Sequence, residues 1–424
     1  MFSLPAHAVS LYSDLMSTKT RPMHRQVRAT SVRNRILTLN AGSSSIKFAV
    51  FDGVDCPTEL ARGQLDGLGS QPKLSACHAS GTDIAVGHID SAQVSSHDAA
   101  LQVIIDLIAD KLDGPDISAV GHRVVHGGAR LAEPVLIDDR ILGELRTLMP
   151  LAPLHQPHNI AGIVAAQAAF PAAVQVACFD TAFHRQHPWV DDTFALPRRL
   201  YEDGVRRYGF HGLSYEFVTM ELAREAPRHA DGRVVIAHLG NGASMCATRG
   251  RQSVASTMGF SALDGLPMGT RCGQLDPGVL LYLMGERKMS TAQIEDLLYR
   301  QSGLLGLSGL SHDMRVLEAA GTHEAMQAID YFVFRVRREL GAMTAILSGL
   351  DALVFCGGIG ENAWRIRERI CSGCEWIGIE LDETRNRAGA AVVSSDRSRV
   401  RVSVVRTNEE AMIARHTAML LMNA

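Results

Sequence analysis

The stretch RILTLNAGSSSIKFAVFD, Arg35 to Asp52, decides the fold that the sequence predicts. A largely apolar run from Ile36 to Leu39 predicts a buried strand, and an alternating apolar pattern begins again at Ile46. Small residues, Asn40 to Ser45, lie between the two strands. Their N–H groups and hydroxyls can converge on a phosphate because no large side chain intervenes. The stretch predicts a hairpin whose turn is either a phosphate loop or an ordinary Gly/Ser turn.

The same pattern recurs later, where Arg233 to Gly250 reads RVVIAHLGNGASMCATRG and aligns without a gap, Gly42 falling on Gly240. A third glycine turn, FCGGIGEN, follows an apolar strand from Leu353 to Phe355 and precedes a helical stretch. An internal repeat of a phosphate loop predicts two similar domains that face one nucleotide.

Composition excludes several classes of protein. A chain of 424 residues, 46% hydrophobic and 21% charged, is long and apolar enough for two domains with sizeable cores. A net charge of −3 creates no field that would attract nucleic acid or an anionic membrane, and no apolar run is long enough to span a bilayer. The eight cysteines lie largely in apolar strands, which favours free thiols over a disulfide framework. We therefore expect a cytoplasmic protein without a nucleic-acid or membrane partner.

Residues 1–34 differ from the rest of the chain. They carry five basic residues against the single acid Asp14, and they show no apolar core pattern. The lack of a continuous apolar segment argues against a secretory signal, whereas an organelle transit peptide has this composition. A disordered extension, or a translation start at Met16 or Met23, explains the segment equally well. We expect a basic, disordered N-terminal extension.

Two charged residues follow predicted strands, where α/β folds place ligands. The strand from Ile117 to Val120 leads into the loop GHRVVHGG, which contains Arg123. The apolar strand from Val174 to Cys178 ends close to Asp180. A carboxylate in that position is either a functional group or a turn and helix-capping residue. Both residues are candidates for a binding site.

Two further candidates lie in glycine-rich turns. The segment YGFHGLS places His211 next to a glycine and ahead of a helix that we expect Ser214 to cap. Arg271 lies between Gly269 and Gly273 in GTRCGQLDPG, which is more typical of a ligand-facing guanidinium than of a solvated charge. A helix is expected to start at Asp276.

Three glycine loops after three strands, in that order, resemble the superfamily of actin, sugar kinases and Hsp70. Within it, at least eight separated motifs from Ile36 onward resemble the acetate kinases. The resemblance implies an α/β fold of two duplicated actin-like, ribonuclease H-like domains with a nucleotide cleft between them. It assigns residues 35–181 plus 409–424 to the first domain and residues 182–408 to the second. It also implies a homodimer formed through the second domain.

The resemblance implies roles for the candidate residues. Arg123 would bind the carboxylate of the substrate, because a planar guanidinium can form paired hydrogen bonds with it. Asp180 would be the catalytic aspartate. His211 and Arg271 would stabilise the transition state.

The resemblance also implies a metal site and a nucleotide site. Asn40 and Glu409 would hold Mg²⁺, or alternatively Mn²⁺, through hard oxygen ligands. ATP or ADP would be held by loop residues and one lysine. These residues are Lys47, His238, Leu239, Gly240, Asn241, Gly242, Asp313, Met314, Arg315, Gly358, Ile359, Gly360, Glu361 and Asn362.

The implied reaction is the reversible transfer of the γ-phosphoryl group of ATP to acetate, in line and without a phosphoenzyme. A carboxylate is already a nucleophile at pH 7, so the site must mainly supply positioning and positive charge. A propionate or butyrate kinase of the same family is the alternative. A sugar kinase or a non-metabolic ATP switch is more remote, because neither has a use for a carboxylate-binding arginine.

Four residues depart from the usual wording of the family: Leu213, Tyr215, Ala262 and Gln274. Ala262 stands where a proline usually closes the apolar pocket for the acid. By the same resemblance, Val125, Leu154 and Phe210 line that pocket. The smaller alanine makes propionate or another slightly longer acid a more plausible substrate.

Overall fold

The computed structural model describes residues 34–423 apart from 43–44, 69–70, 95 and 113–116. The predictions for residues 1–33 and for Ser43 and Ser44 of the first turn therefore lie outside the described residues. No helix in the described ranges is long and apolar enough to cross a membrane.

The chain mixes runs of strands with runs of helices. The strands are β1 (Arg35–Ala41), β2 (Ser45–Asp52), β3 (Thr58–Asp66), β4 (Lys73–His78), β5 (Asp83–His88), β6 (Ile117–Val124), β7 (Val135–Leu136), β8 (Val174–Phe179), β9 (Arg233–Leu239), β10 (Ala243–Arg249), β11 (Gln252–Ser256), β12 (Ala352–Cys356) and β13 (Arg401–Val404). The helices are α1 (His97–Lys111), α2 (Asp139–Thr147), α3 (Gln156–Ala169), α4 (Trp189–Asp192), α5 (Arg198–Glu202), α6 (Gly212–Glu225), α7 (Pro227–Ala230), α8 (Pro277–Gly285), α9 (Thr291–Arg300), α10 (Gly303–Ser308), α11 (Met314–Ala320), α12 (His323–Leu347), α13 (Gly357–Asn362), α14 (Trp364–Cys371), α15 (Glu383–Arg387) and α16 (Glu409–Asn423).

The predicted hairpin forms the centre of the first sheet. Strand β1 pairs antiparallel with β2, so that Asn40 lies opposite Lys47. On its other side β1 pairs in parallel with β6, which pairs in parallel with β8. The full strand order is β5-β4-β3-β2-β1-β6-β8-β7. All seven residues of β1 are buried, as expected for a strand covered on both faces.

The second sheet repeats this arrangement. Strand β9 pairs antiparallel with β10 and parallel with β12, which pairs in parallel with β13. Its order, β11-β10-β9-β12-β13, therefore matches the five central strands of the first sheet, β3-β2-β1-β6-β8. The duplication predicted from the repeated hairpin is confirmed.

Two helices lie between the sheets. Helix α16 packs on β1 and β6, and Gly121 permits the close approach because a Cβ there would collide with Thr417. The other side of α16 contacts α6, where Met412 and Ile413 meet Leu213 and Phe217. Helix α6 in turn covers β9 and β12. The interior is thus layered as sheet, helix, helix, sheet.

Most predicted boundaries agree with the structure, and one local prediction is wrong. Asp276 caps α8 with its side chain, and Thr322 caps α12 in the same way. Helix α6, however, is not capped by Ser214. It begins at Gly212, and His211 is the capping position in a left-handed conformation (φ 58°). The helix starts early because the Gly212 N–H donates to the carbonyl oxygen of Asp180 at 2.8 Å.

The third glycine turn is also more ordered than predicted. Gly357 takes a left-handed φ of 75°, and its built Cβ would lie 2.7 Å from the Leu239 carbonyl oxygen, so only glycine fits there. The rest of the motif then continues as α13 rather than as an open loop.

We predict that deleting residues 1–33 leaves kcat and both KM values within about twofold, because the sheets and helices above lie C-terminal to that segment. Asn34 should be retained, since its carbonyl oxygen accepts the Gly53 N–H at 3.1 Å. Steady-state kinetics of the purified truncated protein checks this expectation. A truncated protein that is insoluble or several-fold slower would show that the segment contributes to the fold or the site.

Candidate active site

The candidate residues meet where three parallel strands end. Strands β1, β6 and β8 run in parallel, so their carboxyl ends lie at one edge of the first sheet. Asn40 is near the end of β1, Arg123 is near the end of β6, and Asp180 directly follows β8. Helix α16 adds Glu409 from its first turn. Residues far apart in the sequence therefore share one small region.

Arg123 is the centre of this cluster. Its Nε donates to Asp180 Oδ1 at 3.0 Å, and its Nη2 donates to Asp180 Oδ2. Its Nη1 donates to Asn40 Oδ1 at 3.0 Å. The guanidinium is thus held by a bidentate pair with a carboxylate, the geometry that most restricts its orientation.

Glu409 closes the cluster from the opposite side. Its Oε2 accepts from Asn40 Nδ2 at 3.3 Å and lies 3.6 Å from Arg123 Nε. Its Oε1 accepts from the Ser214 hydroxyl at 2.6 Å. The serine expected to cap α6 therefore orients the carboxylate that begins α16.

Burial and charge compete within the cluster. Burial raises the pKa of Asp180 to about 6, although the positive charge of Arg123 opposes this shift. Burial also acts to raise the pKa of Glu409, but Arg123, the Ser214 hydrogen bond and the charges of His238 and Lys47 together lower it. The Asp180 side chain is only 1% exposed, so it depends on Arg123 for its charge balance.

The turn between β9 and β10 faces the other glycine turn. A Cβ built at Gly240 would lie 3.7 Å from the backbone nitrogen of Gly358. The Gly269 N–H donates to the Asn241 carbonyl oxygen at 3.0 Å, which joins the loop before Arg271 to the same turn. Three of the predicted glycine segments are therefore adjacent, and their small residues leave backbone N–H groups accessible for phosphate oxygens.

His211 and Arg271 converge on Gly242. A Cβ at Gly242 would lie 3.3 Å from His211 Nε2 and 4.0 Å from Arg271 Nη1. The ring of His211 stacks on that of His238, with centroids 4.3 Å apart. Burial, followed by the neighbouring charges, lowers the pKa of His211 well below its usual range, so the ring is neutral at pH 7. A charged guanidinium and a neutral imidazole thus border the glycine turn.

Three other residues predicted to bind the nucleotide, Lys47, Asp313 and Arg315, lie outside these glycine turns. Lys47 lies opposite Asn40 in the first sheet and lowers the pKa of Glu409 by its charge. Asp313 caps α11 and pairs with Arg315 at 2.6 Å, and the Arg315 side chain is 88% exposed. Asp313 and Arg315 thus form an ion pair with each other. Their contact with a nucleotide stays a prediction.

A small, mainly apolar cavity lies close to the cluster, since its lining includes Val125, two residues after Arg123, and His155, whose pKa the charge of Arg123 helps to lower. The four residues that the family resemblance implies, Val125, Leu154, Phe210 and Ala262, all line it. Its volume is about 10 Å³, roughly the space for one water-sized or methyl-sized group. The Ala262 carbonyl oxygen accepts from Arg271 Nη1 at 3.2 Å, which links the cavity wall to the candidate transition-state residue.

Sequence reasoning missed three residues that support the site. Asn159 joins the loops, donating to the Ala41 carbonyl oxygen at 2.7 Å and accepting from the Val125 N–H at 3.0 Å. His155 lines the cavity, and burial with the charges of Arg271 and Arg123 lowers its pKa to about 3. Ser244 bonds to His211 Nδ1 at 2.8 Å.

Only Ser244 had a signal in the sequence. The repeat places this polar residue in register with the apolar Ile46 of the first hairpin. A hydroxyl in place of a core side chain indicates a hydrogen-bond partner inside the second domain.

The oxygen atoms of the cluster are suited to a divalent cation. Asn40 Oδ1, the Asp180 carboxylate and the Glu409 carboxylate are hard donors, the type that Mg²⁺ prefers. The described ranges contain no group of three or more His, Cys, Asp or Glu side chains that could hold a metal ion by themselves. Mg²⁺ commonly keeps several waters and substrate oxygens as ligands, so an open set of this kind fits it.

Comparisons with known proteins agree on one family. The profile of the Acetokinase family matches residues 35–415. The acetate kinase of Methylocella silvestris is 59% identical over 394 residues, which cover 91% of this chain and 98% of that protein. The acetate kinase of Nitrobacter hamburgensis is 52% identical, covering 92% of this chain and 96% of that protein.

Solved structures give the same result. The crystal structure of Porphyromonas gingivalis acetate kinase has a TM-score of 0.82 at 36% identity, covering 92% of this chain and 100% of that chain. The crystal structure of a propionate kinase from Francisella tularensis has a TM-score of 0.84 at 36% identity, covering 91% and 99%. With the profile match and these relatives spanning nearly the whole described chain, the protein is a member of the acetokinase family.

Proposed function

We propose that the protein is an acetate kinase, which transfers the γ-phosphoryl group of ATP to acetate and also catalyses the reverse reaction. The observation that carries the proposal is the position of Arg123, held beside a methyl-sized apolar cavity by Asp180 and Asn40. Family membership and the high identity to proteins named acetate kinase support the same reaction. A guanidinium beside a small apolar cavity matches a carboxylate with a short alkyl group.

The acid is the nucleophile in the proposed reaction. Arg123 binds one edge of the carboxylate and leaves an oxygen free to attack the γ-phosphorus. No strong base is needed, because the carboxylate is ionised at pH 7. Asp180 keeps the guanidinium in a fixed orientation, which lowers the entropy lost on reaching the in-line geometry.

Positive charge and hydrogen bonds then stabilise the transferring group. Arg271 supplies the charge, and His211 supplies a neutral N–H from its Nε2 side, both next to Gly242. These groups are preorganised in a partly buried region, where they act more strongly than in water. The glycine turns hold the remaining phosphates through backbone N–H groups.

We also propose that Asn40 and Glu409 hold Mg²⁺, or Mn²⁺, near the nucleotide phosphates. The bound cation would neutralise charge on the phosphate oxygens. The role of the chain is to orient the oxygen donors, as Ser214 does for Glu409 by its hydrogen bond.

A hydroxylamine trap tests the function directly. Purified protein with acetate, ATP and Mg²⁺ should form acetyl phosphate, which hydroxylamine converts to a hydroxamate that is detected as its coloured ferric complex. Replacing acetate by glucose should give none. ATP hydrolysis without hydroxamate, or phosphorylation of the sugar, would refute the proposal in favour of a switch protein or a sugar kinase.

The cavity size makes a prediction about substrate length. The cavity has space for about one methyl group, which suits acetate. The longer chain of propionate fits only if the cavity wall beside Ala262 moves outward. A buried methylene contributes about 0.8 kcal/mol, so kcat/KM for propionate should lie within about fourfold of that for acetate. Butyrate should be clearly poorer.

Ala262→Pro should make the wall that propionate has to displace larger and stiffer, and so shift the kcat/KM ratio toward acetate by about fourfold. The ratio is measured by letting the two acids compete in one hydroxamate assay. Val135→Ala, which alters a wall of a different core cluster, is the suitable control. An unchanged ratio in Ala262→Pro would mean that this residue does not limit the acid.

We propose that the protein forms a homodimer through the second domain. Helix α8 supports this, because its sequence PGVLLYLMG is strongly apolar and none of its residues is buried. Leu281 is 68% exposed, and Phe334 on α12 is 61% exposed. The two helices are linked by Arg335, which donates to Gln274 just ahead of α8. An apolar surface of this kind is typical of a permanent interface.

Light scattering of the wild-type protein at micromolar concentration should therefore give twice the chain mass. Leu281→Glu should give the mass of a monomer, because this substitution would bury a charge in the interface. Val86→Glu, at an equally exposed position on β5, is the matched control and should stay dimeric. A fully active wild-type monomer would remove the proposal.

Two broader proposals complete the functional description. The domain boundaries are at 181/182 and 408/409, a division supported by the packing of α16 on β1 and β6. A reducing, cytoplasmic location is supported by the buried free thiols of Cys178, Cys246 and Cys356.

A further inference from the structure

A chain of three side chains lies behind the candidate transition-state histidine. His211 Nδ1 is 2.8 Å from Ser244 Oγ, and Ser244 Oγ is 2.5 Å from the hydroxyl of Tyr215. Tyr215 and Ser244 are both 0% exposed. Bulk water therefore reaches neither hydroxyl, and each buried proton needs a partner within the protein.

The direction of these hydrogen bonds follows from counting donors. Among the described residues, the Tyr215 hydroxyl has Ser244 as its hydrogen-bond partner, so the phenol proton must point to Ser244 Oγ. Ser244 has one proton of its own. With the phenol already donating to it, the serine proton finds its acceptor in His211 Nδ1.

The opposite direction is less favourable. If His211 Nδ1 carried the proton, Ser244 would accept from both sides and its own buried proton would lack an acceptor. A buried polar group left without a partner loses the full benefit of its hydration, which makes this arrangement unstable. Only one direction satisfies every proton in the chain.

We propose that Tyr215, acting through Ser244, holds His211 in the tautomer that carries its proton on Nε2, and that Tyr215 is thereby a positioning residue for phosphoryl transfer. This inference rests on the proposed function of His211. It also gives a role to the phenol of Tyr215, one of the four residues that depart from the usual wording of the family.

The tautomer matters because the ring is neutral. A neutral imidazole has one N–H group, and its other nitrogen is only an acceptor. Nε2 is the atom that borders Gly242 and Arg271, where phosphoryl oxygens would lie. An N–H there donates to these oxygens, whereas a bare nitrogen would place its lone pair against them.

The backbone around His211 fixes the position of its ring. His211 holds a left-handed φ of 58°, an uncommon conformation for a residue with a side chain. The adjoining Gly212 is locked to Asp180 by a 2.8 Å hydrogen bond. The backbone thus sets where the ring lies, and the Tyr215–Ser244 pair sets which nitrogen bears the proton.

The first test needs no turnover. Protein labelled with ¹⁵N only in the histidine rings is examined by solid-state NMR, and His211→Gln identifies the His211 signals among those of 17 histidines. Wild type should show a protonated Nε2 and an unprotonated Nδ1. A proton on Nδ1 would overturn the proposal whether or not the protein is an acetate kinase.

The second test is Tyr215→Phe, which removes the donor that orients and polarises the Ser244 hydroxyl, so that this hydroxyl holds His211 Nδ1 less firmly. We expect mixed tautomers in the NMR spectrum and a kcat about threefold to tenfold lower, since removing a donor outright costs about 100-fold or more. Both KM values should stay within about twofold. Tyr201→Phe, which removes a phenol bonded to Asp192, is the control and should keep the wild-type kcat.

The outcomes separate the two proposals. A wild-type spectrum and kcat in Tyr215→Phe would overturn the positioning role, as would an effect confined to KM. If Tyr215→Phe does not fold, the wild-type spectrum alone still decides the tautomer. Failure of wild type to form acetyl phosphate would reject the proposed function while leaving the tautomer result intact.

Discussion

Replacing Arg123 with alanine is expected to raise the apparent KM for acetate about 100-fold while leaving that for ATP within about threefold. Truncating one member of a buried, hydrogen-bonded charge pair costs about 2–5 kcal/mol, and each 1.4 kcal/mol corresponds to a factor of ten. Arg123→Lys should recover only part of the loss, because an ammonium cannot reproduce the bidentate contact with Asp180. Initial rates with each substrate varied in turn provide the measurement.

The same variant has a second expected effect. Arg123 opposes the rise in the pKa of Asp180 that burial causes, so its removal should move that pKa further above about 6. The kcat of the variant should therefore rise more between pH 7 and pH 8.5 than that of wild type, because more of the Asp180 carboxyl group is protonated at pH 7. Equal increases in both KM values without this rise would indicate a general structural defect.

The second large effect is expected from Asp180→Asn. This substitution keeps the size of the side chain but removes the charge that orients Arg123 and that faces the proposed metal site. Loss of a group that organises charge in the transition state costs about 100- to 1,000-fold, so kcat should fall by that factor. The variant is assayed beside wild type with acetate, ATP and Mg²⁺ all saturating.

Asp192→Asn is the matched control. Asp192 is also a buried aspartate in an arginine pair, lying 3.5 Å from Arg185, but it is not part of the candidate site. Its replacement should change kcat by less than about threefold. If Asp180→Asn retains more than about a tenth of the wild-type kcat, or if both variants lose activity equally, a catalytic role for Asp180 is wrong.

Local patterns predicted the framework of the fold. The sequence predicted two hairpins, the one formed by β1 and β2 and its repeat in β9 and β10. Both were predictable because an alternating apolar pattern and a glycine turn involve only residues that are adjacent in the sequence. Strands β4 and β5 were hidden in a polar segment, since β5 lies at the sheet edge and none of its residues is buried.

Long-range contacts explain what the sequence could not predict. Ser214 matches a helix cap by its local surroundings, yet its partner Glu409 lies 195 residues away. The hydrogen bond between Ser244 and Tyr215 likewise requires β10 and α6 to be packed together. The motifs of the family predicted roles for Arg123, Asp180 and His211. The structure shows which neighbours hold each of these side chains in place.

The position of Glu409 also has a consequence for biosynthesis. Asn40 and Glu409 are in contact although 369 residues separate them, so one side of the site is synthesised almost at the beginning and the other almost at the end. A ribosome that has translated residues 34–408 has made the strands of both sheets and helix α6, but not α16, the other helix that lies between the sheets. Closing so long a loop is slow compared with forming local structure. A chain translated only as far as residue 408 would therefore lack Glu409 and its contact with Asn40, and on the proposed function we expect it not to consume ATP.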